Sequence, residues 1–315
     1  MNNKLFLFVT CFVSLMGNAQ QLKNVSSAIT WRANGGFFGD NLVSYSRTKW
    51  LAYKHNMQFI CRAFPYSEQL MLHERETFYT DNTQSSFANT VHLPLKKDYV
   101  LYNDNNTLYI CYWKTKVDVD WSDLIFIKEL KKNIAPRQQV TKITIPDNCI
   151  SIAAHVRTGG NNPKDHALAK ATHPLRFIPD KFLIAQIKRL TKIFSEENIY
   201  LHIFTDHPQP MKLVKKFKRQ LNNPRITFNY RETNNNYDLN VLEDFFSMME
   251  FDCLVRPQSN FSRFAHLLGK NKIVIYPESV QQAADGTSKI DVVTIQTRNN
   301  EDEAWEVKQE PYHEK

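Results

Sequence analysis

The chain has 315 residues, 42% hydrophobic and 23% charged, a globular balance that excludes a mostly disordered polypeptide. No apolar run reaches about 18 residues, which excludes a polytopic membrane protein, and no stable membrane span is expected. A count of 40 Lys+Arg against 32 Asp+Glu gives a net charge of +8, which suits an anionic ligand without demanding nucleic acid, and no nucleic-acid partner is expected.

Residues 1–19 read as a signal peptide: Lys4 in a short n-region, an apolar stretch from Leu5 to Met16, and Gly17-Asn18-Ala19 before the cleavage point. An uncleaved anchor is the alternative. The signal predicts an exported, periplasmic, secreted or lumenal location. Export permits disulfides among Cys61, Cys111, Cys149 and Cys253, but each lies in or beside a strand-like run. Such runs fit free core thiols equally well.

A strand is predicted over Ser27–Arg32, then a loop from Asn34 to Gly39, a helix over Asp40–Lys54 and a strand over Met57–Phe64. The chain has only 8 glycines, and Gly35, Gly36, Gly39, Gly159 and Gly160 cluster in two short stretches. Glycines so placed mark close backbone approach. Residues 66 to 145 are less periodic, with a strand near Thr107–Trp113 and a helix near Trp121–Lys132. From Asn148 the pattern alternates strand and helix. Strands are predicted over Cys149–Val156, Ile199–Thr205, Ile226–Tyr230, Cys253–Arg256 and Ile273–Tyr276. Helices are predicted over Pro179–Phe194, Pro210–Leu221, Leu239–Phe251 and Phe261–Leu268, the last capped by Gly269. The tail carries one more strand-like piece, Ile290–Thr297. The fold class is therefore α/β, with two Rossmann-like domains facing an interdomain cleft. The domains span 20–147 and 148–285, followed by a tail over 286–315.

Ligands in such sheets bind beyond the C-terminal ends of the strands. Three motifs sit there. His155-Val156-Arg157-Thr158-Gly159-Gly160 leaves a buried strand, and the Arg157 fork suits a phosphate. A solvated arginine beside a core histidine is the plainer reading. Thr205-Asp206-His207-Pro208 ends the next strand, where Asp206 could instead cap a helix. Asp244 opens an acidic helix, and Ser259-Asn260-Phe261-Ser262 precedes another, as a cap or as a phosphate cradle.

In this order the motifs resemble the fucosyltransferase superfamily of GT-B fold: the alpha-1,2- and alpha-1,6-fucosyltransferases, the nodulation fucosyltransferases and the protein O-fucosyltransferases. The family's H-x-R looks like His155-Val156-Arg157, its Ser/Thr-Asp pair like Thr205-Asp206, and its S-x-F-S like Ser259 to Ser262. The resemblance covers about residues 149 to 277 and the glycine loop, where Gly39-Asp40-Asn41 is similar to the family's opening. It implies an acceptor-side N-terminal domain and a C-terminal domain binding a nucleotide-sugar donor, GDP-fucose. It implies that Arg157 holds the β-phosphate, that His155 and Asp244 border the guanine and ribose, and that Ser259, Asn260 and Phe261 line the diphosphate. The same loop looks like the G-D-x-L opening of lipopolysaccharide heptosyltransferases. A carboxylate is repelled by a diphosphate, so Asp40 is expected to face a glycan or protein acceptor as the general base. A helix cap is the plainer role for Asp40.

Asp118-Val119-Asp120 lacks the hydrophobic strand that a metal-binding D-x-D needs, and His166 to His173 fits no zinc spacing, so no metal and no cofactor are expected. The basic run Lys212 to Arg219 reads as a solvated helix face. The leading expectation is an inverting, metal-independent fucosyltransferase. The alternatives are a GT-B transferase with an ADP-heptose type of donor and an exported, non-catalytic carbohydrate- or nucleotide-binding protein.

Overall fold

The computed structural model describes residues 27–33, 35–95, 99–103, 106–159, 173–236, 238–282, 288–300 and 303–312. The expected signal peptide, Gly160 and His166 lie outside the described residues. Two sheets form, each near-continuously apolar along its central strands, as parallel strands covered on both faces must be.

The first sheet is five-stranded, in the order β3-β2-β1-β5-β4, and every pairing is parallel. Its centre is β1 (Ser27–Trp31) and β5 (Thr107–Cys111), both fully buried. Their neighbours are β2 (Gln58–Cys61), the two-residue β3 (Thr77–Phe78) and the mostly exposed edge β4 (Asn89–His92). Helix α1 (Phe38–Lys54) crosses from β1 to β2 and buries Leu42, Tyr45 and Trp50. The short α2 (Leu72–Arg75) follows, then α3 (Leu124–Ile134), whose first turn is capped by Asp123 accepting from Phe126 N at 3.0 Å.

The second sheet is seven-stranded, in the order β12-β11-β10-β9-β6-β7-β8. It holds β6 (Ile150–Val156), β7 (Ile199–Thr205), β8 (Ile226–Tyr230), β9 (Cys253–Val255) and β10 (Ile273–Gln282), all mutually parallel where they pair. Helices α4 (Asp180–Ile193), α5 (Pro210–Leu221), α6 (Val241–Met248) and α7 (Asn260–Leu268) connect them. On α5 the lysines face solvent, while Leu213, Val214, Phe217 and Leu221 are buried.

The segment 286–315, read from sequence as a tail, contributes two strands to this sheet. β11 (Ser288–Thr297) pairs antiparallel with a β10 that runs well past Tyr276, and β12 (Glu306–Pro311) pairs antiparallel with β11. Gly269 caps the last helix as predicted, with φ −86 rather than a left-handed conformation. Glycine is required there by crowding, because a Cβ would lie 2.5 Å from Ala265 O and 2.8 Å from Met249 O. All four described cysteines are free thiols, and Cys61, Cys111 and Cys253 are buried.

Both sheets reverse strand order beside their first strand, between β1 and β5 and between β6 and β9. Ligand crevices form at such reversals. One of the apolar clusters runs between the sheets: Trp31, Leu42 and Tyr45 of the first half share it with Phe204, Phe245, Phe251 and Phe264 of the second, while a separate cluster fills the second half alone. No described helix is long and apolar enough to cross a membrane.

Candidate active site

Between the C-terminal edges of the two sheets lies a cavity of about 260 Å³. Its walls come from the first turn of α1 (Gly39, Asp40), the ends of β6 (His155, Arg157) and β7 (Thr205, Asp206), Asp244 of α6, and the start of α7 (Ser259, Asn260, Phe261). Asp40, Gly39, His155, Arg157, Thr205, Asp206, Asp244, Ser259, Asn260 and Phe261 all line it, and Asn41 does not. That side chain is buried and donates to the carbonyls of Gly36 and Phe37, tying down the glycine loop. Asn41 thus braces the loop beneath the cavity.

The β6 motif is arranged by Asp206. Its Oδ1 accepts from Thr158 N at 2.6 Å and Thr158 Oγ1 at 2.9 Å, and its Oδ2 accepts from Gly159 N at 3.1 Å. Gly159 has φ +92, so the turn needs glycine. The carboxylate expected at the ligand thus shapes the loop that follows Arg157. Arg157 itself lies 5.4 Å from the Phe177 ring centroid and makes no hydrogen bond or ion pair among the described residues. Burial lowers its pKa, and the Asp206 charge opposes that shift. Burial and then the Arg157 charge push the His155 imidazole down to about 4, so the ring is neutral near pH 7. Its Nδ1 has no partner among the described residues.

Gly39 is where the two halves meet. A Cβ there would lie 2.5 Å from Phe261 N and 2.9 Å from Asn260 C, so the first turns of α1 and α7 are in backbone contact. The next residue, Asp40, accepts at Oδ1 from Asn260 Nδ2 at 2.7 Å across this junction. Asp40 is not the helix cap, since α1 begins at Phe38 and its Phe37 cap makes no side-chain bond. Ser259 precedes α7 but also makes no side-chain capping bond, and its side chain is buried at the cavity wall. The start of α7 therefore brings the positive end of the helix dipole to the cavity wall. Phe261 packs edge-on to Phe38 and Phe245 and lies 5.9 Å from the His155 ring.

Asp244 is not a bare acceptor. Its Oδ1 accepts from Arg231 Nη2 at 2.8 Å, and the same nitrogen reaches Glu243 Oε2 at 3.2 Å. Burial raises the Asp244 pKa, with Arg231 acting in the opposite sense. Arg231 was invisible in the sequence, although it directly follows β8 and so occupies the same kind of strand end as Arg157. Tyr66 was missed too. It holds φ +71, unusual for a bulky residue, and its hydroxyl donates to Asp238 O at 2.8 Å, bridging the halves over the cavity mouth. In the discounted D-x-D, Asp120 accepts from Ser122 N and Oγ as a turn residue. No cluster of metal-ligating side chains occurs among the described residues.

No family model and no curated protein matches the sequence. Among solved structures, a mutant of Arabidopsis thaliana FUT1 in complex with GDP matches with a TM-score of 0.55 at 12% identity, over 85% of this chain and 75% of that one. The fold is fucosyltransferase-like. The fucosyltransferase NodZ from Bradyrhizobium matches with a TM-score of 0.47 at 14% identity, over 84% of this chain and 97% of that one. POFUT1 in complex with GDP-fucose gives 0.45 at 9% identity, over 79% and 95%.

Proposed function

We propose that this chain is an inverting, metal-independent glycosyltransferase that moves fucose from GDP-fucose to a hydroxyl of a glycan or protein. One observation carries the reading: a carboxylate from the first half, Asp40, and a guanidinium from the second, Arg157, line the same cavity beside the start of α7. Asp40 takes the proton of the acceptor hydroxyl, whose oxygen attacks the anomeric carbon from the face opposite the diphosphate. The bond from that carbon to the β-phosphate oxygen breaks, and its electron pair leaves with GDP. Arg157 and the positive start of α7 stabilise the charge that develops there. Neutral His155 and Phe261 border the nucleoside. The acceptor's bulk lies toward the first half, and the reaction takes place in the exported or lumenal compartment that the signal peptide specifies.

The Arg231–Asp244 pair favours a second reading, another nucleoside-diphosphate sugar such as an ADP-heptose type of donor, because a carboxylate already paired at one oxygen reads guanine less strongly. Calorimetric titration with GDP-, ADP- and UDP-sugars tests both. GDP binding more than about tenfold tighter than ADP is expected. Equal affinities overturn the GDP-fucose assignment. Tight binding without transfer to any acceptor overturns the enzyme reading in favour of a binding protein.

A further inference from the structure

On the other side of Ser259 and Asn260 lies a second cavity, of about 600 Å³. Three arginines line it, Arg176, Arg256 and Arg263, against one carboxylate, Glu278, which accepts from Thr294 Oγ1 at 2.7 Å. Arg256 is 4% exposed. Its Nη1 donates to Pro257 O, while Nε has no partner among the described residues. The guanidinium lies 4.1 Å from the Tyr276 ring centroid. Burial lowers its pKa only to about 10, so it keeps its charge at neutral pH. Arg263 lies 5.3 Å from the Trp121 ring centroid and is close enough to Arg47 for the two charges to repel. Arg47 in turn donates to Trp113 O at 3.4 Å, and the Trp113 side chain is 58% exposed.

Arg256 is buried and Arg176 and Arg263 are half-buried, and like charges gathered in such a cavity are unfavourable unless an anion completes them. The donor's diphosphate already has Arg157 and the start of α7. The second cavity adjoins Asp40 through Asn260, and its positive charge continues through Arg263 and Arg47 to an exposed indole at the edge of the first sheet. A flat apolar face beside a cationic pocket fits a sugar ring carrying an acid. We propose that the second cavity binds the carboxylate or sulfate of an acidic oligosaccharide acceptor. This rests on the reading of Asp40 as the base.

The test titrates inorganic sulfate calorimetrically into the GDP-saturated protein, for wild type and for an Arg176→Gln/Arg263→Gln variant. Buried Arg256 is left intact to protect folding. Wild type is expected to bind sulfate with GDP in place. The variant should bind it at least about tenfold more weakly, with GDP affinity within about twofold. Sulfate binding abolished by GDP, or parallel loss of both ligands in the variant, overturns the proposal and assigns the cavity to the donor. Failure of GDP to bind at all refutes the donor reading instead, and sulfate titrated alone then decides the cavity. In turnover assays, a uronate-bearing oligosaccharide should exceed its carboxyl-reduced counterpart at least about tenfold in kcat/KM, and the variant should remove that preference. Equal kcat/KM for the two sugars, or preference for an acidic peptide, overturns it.

Discussion

Replacing Gly39 by alanine places a methyl group 2.5 Å from Phe261 N, where ordinary contact begins at 3.4 Å. Relief requires α1 and α7 to separate by about 0.9 Å, because the opposing atoms are helix backbone rather than a flexible side chain. The same displacement stretches the 2.7 Å Asn260–Asp40 hydrogen bond to about 3.6 Å, beyond useful range. Overpacking of this kind costs about 1–3 kcal/mol, and a hydrogen bond to a charged group is worth about 1.5–3 kcal/mol. The two effects are alternative routes of relief and do not add, so a loss of about 2–3 kcal/mol is expected. For a chain of this size that lowers Tm by about 3–5 °C. Because the first turn of α7 moves, nucleotide affinity should fall as well. Gly35→Ala is the control: its φ of +66 strains alanine, but nothing lies within 4 Å. It should cost about 1–2 kcal/mol and leave nucleotide affinity intact. Scanning calorimetry and GDP titration measure both variants. A Gly39→Ala protein with wild-type Tm and GDP affinity refutes the tight junction between the two helix starts.

Arg157→Ala should stay folded and lose at least about tenfold in GDP affinity, with Arg157→Lys rescuing little because it lacks the fork; unchanged affinity by calorimetry removes Arg157 from the site. Asp40→Asn can still accept from Asn260, so stability and donor affinity should hold while turnover falls at least about 100-fold; undiminished turnover in a radiolabel transfer assay moves the base elsewhere. His202 is 4% exposed, and burial followed by the Arg231 charge pushes its pKa to about 3. Its neutral form is native, so its contribution is complete above the unfolded value near 6.5 and falls as acid protonates the unfolded chain, by up to about 1.4 kcal/mol per pH unit between about 6.5 and 3. His202→Phe should flatten that limb in urea melts taken across pH, and an unchanged slope refutes the assignment.

What the sequence disclosed follows from how each element is stabilised. Ile199–Thr205, Pro210–Leu221 and Ile226–Tyr230 were read to the residue, because a buried strand and an amphipathic helix carry their burial in their own pattern. Strands β3 and β4 carry no such pattern. One has two residues, the other is mostly exposed, and each exists through pairing with a better neighbour. The polar β12 went unread for the same reason, since its ladder to β11 supplies what its side chains do not. The site was legible where a polar residue ends an apolar strand. Successive helical residues point about 100° apart, so Asp40 reaches the cavity while Asn41 turns into the loop beneath it. Arg231, Tyr66 and Arg256 act through partners distant in sequence, which no local pattern reveals.

The apolar core that runs unbroken from one sheet to the other also governs how the molecule comes apart. Were the second half to stand alone, Phe245 would lose the Phe38 ring and Phe264 the Trp121 ring that now pack against them. Separating the halves would uncover that shared core, so heat should melt both in one cooperative transition. A ligand held at the far edge of one sheet would for that reason protect the thiols buried in the other from reagents that need the chain to open.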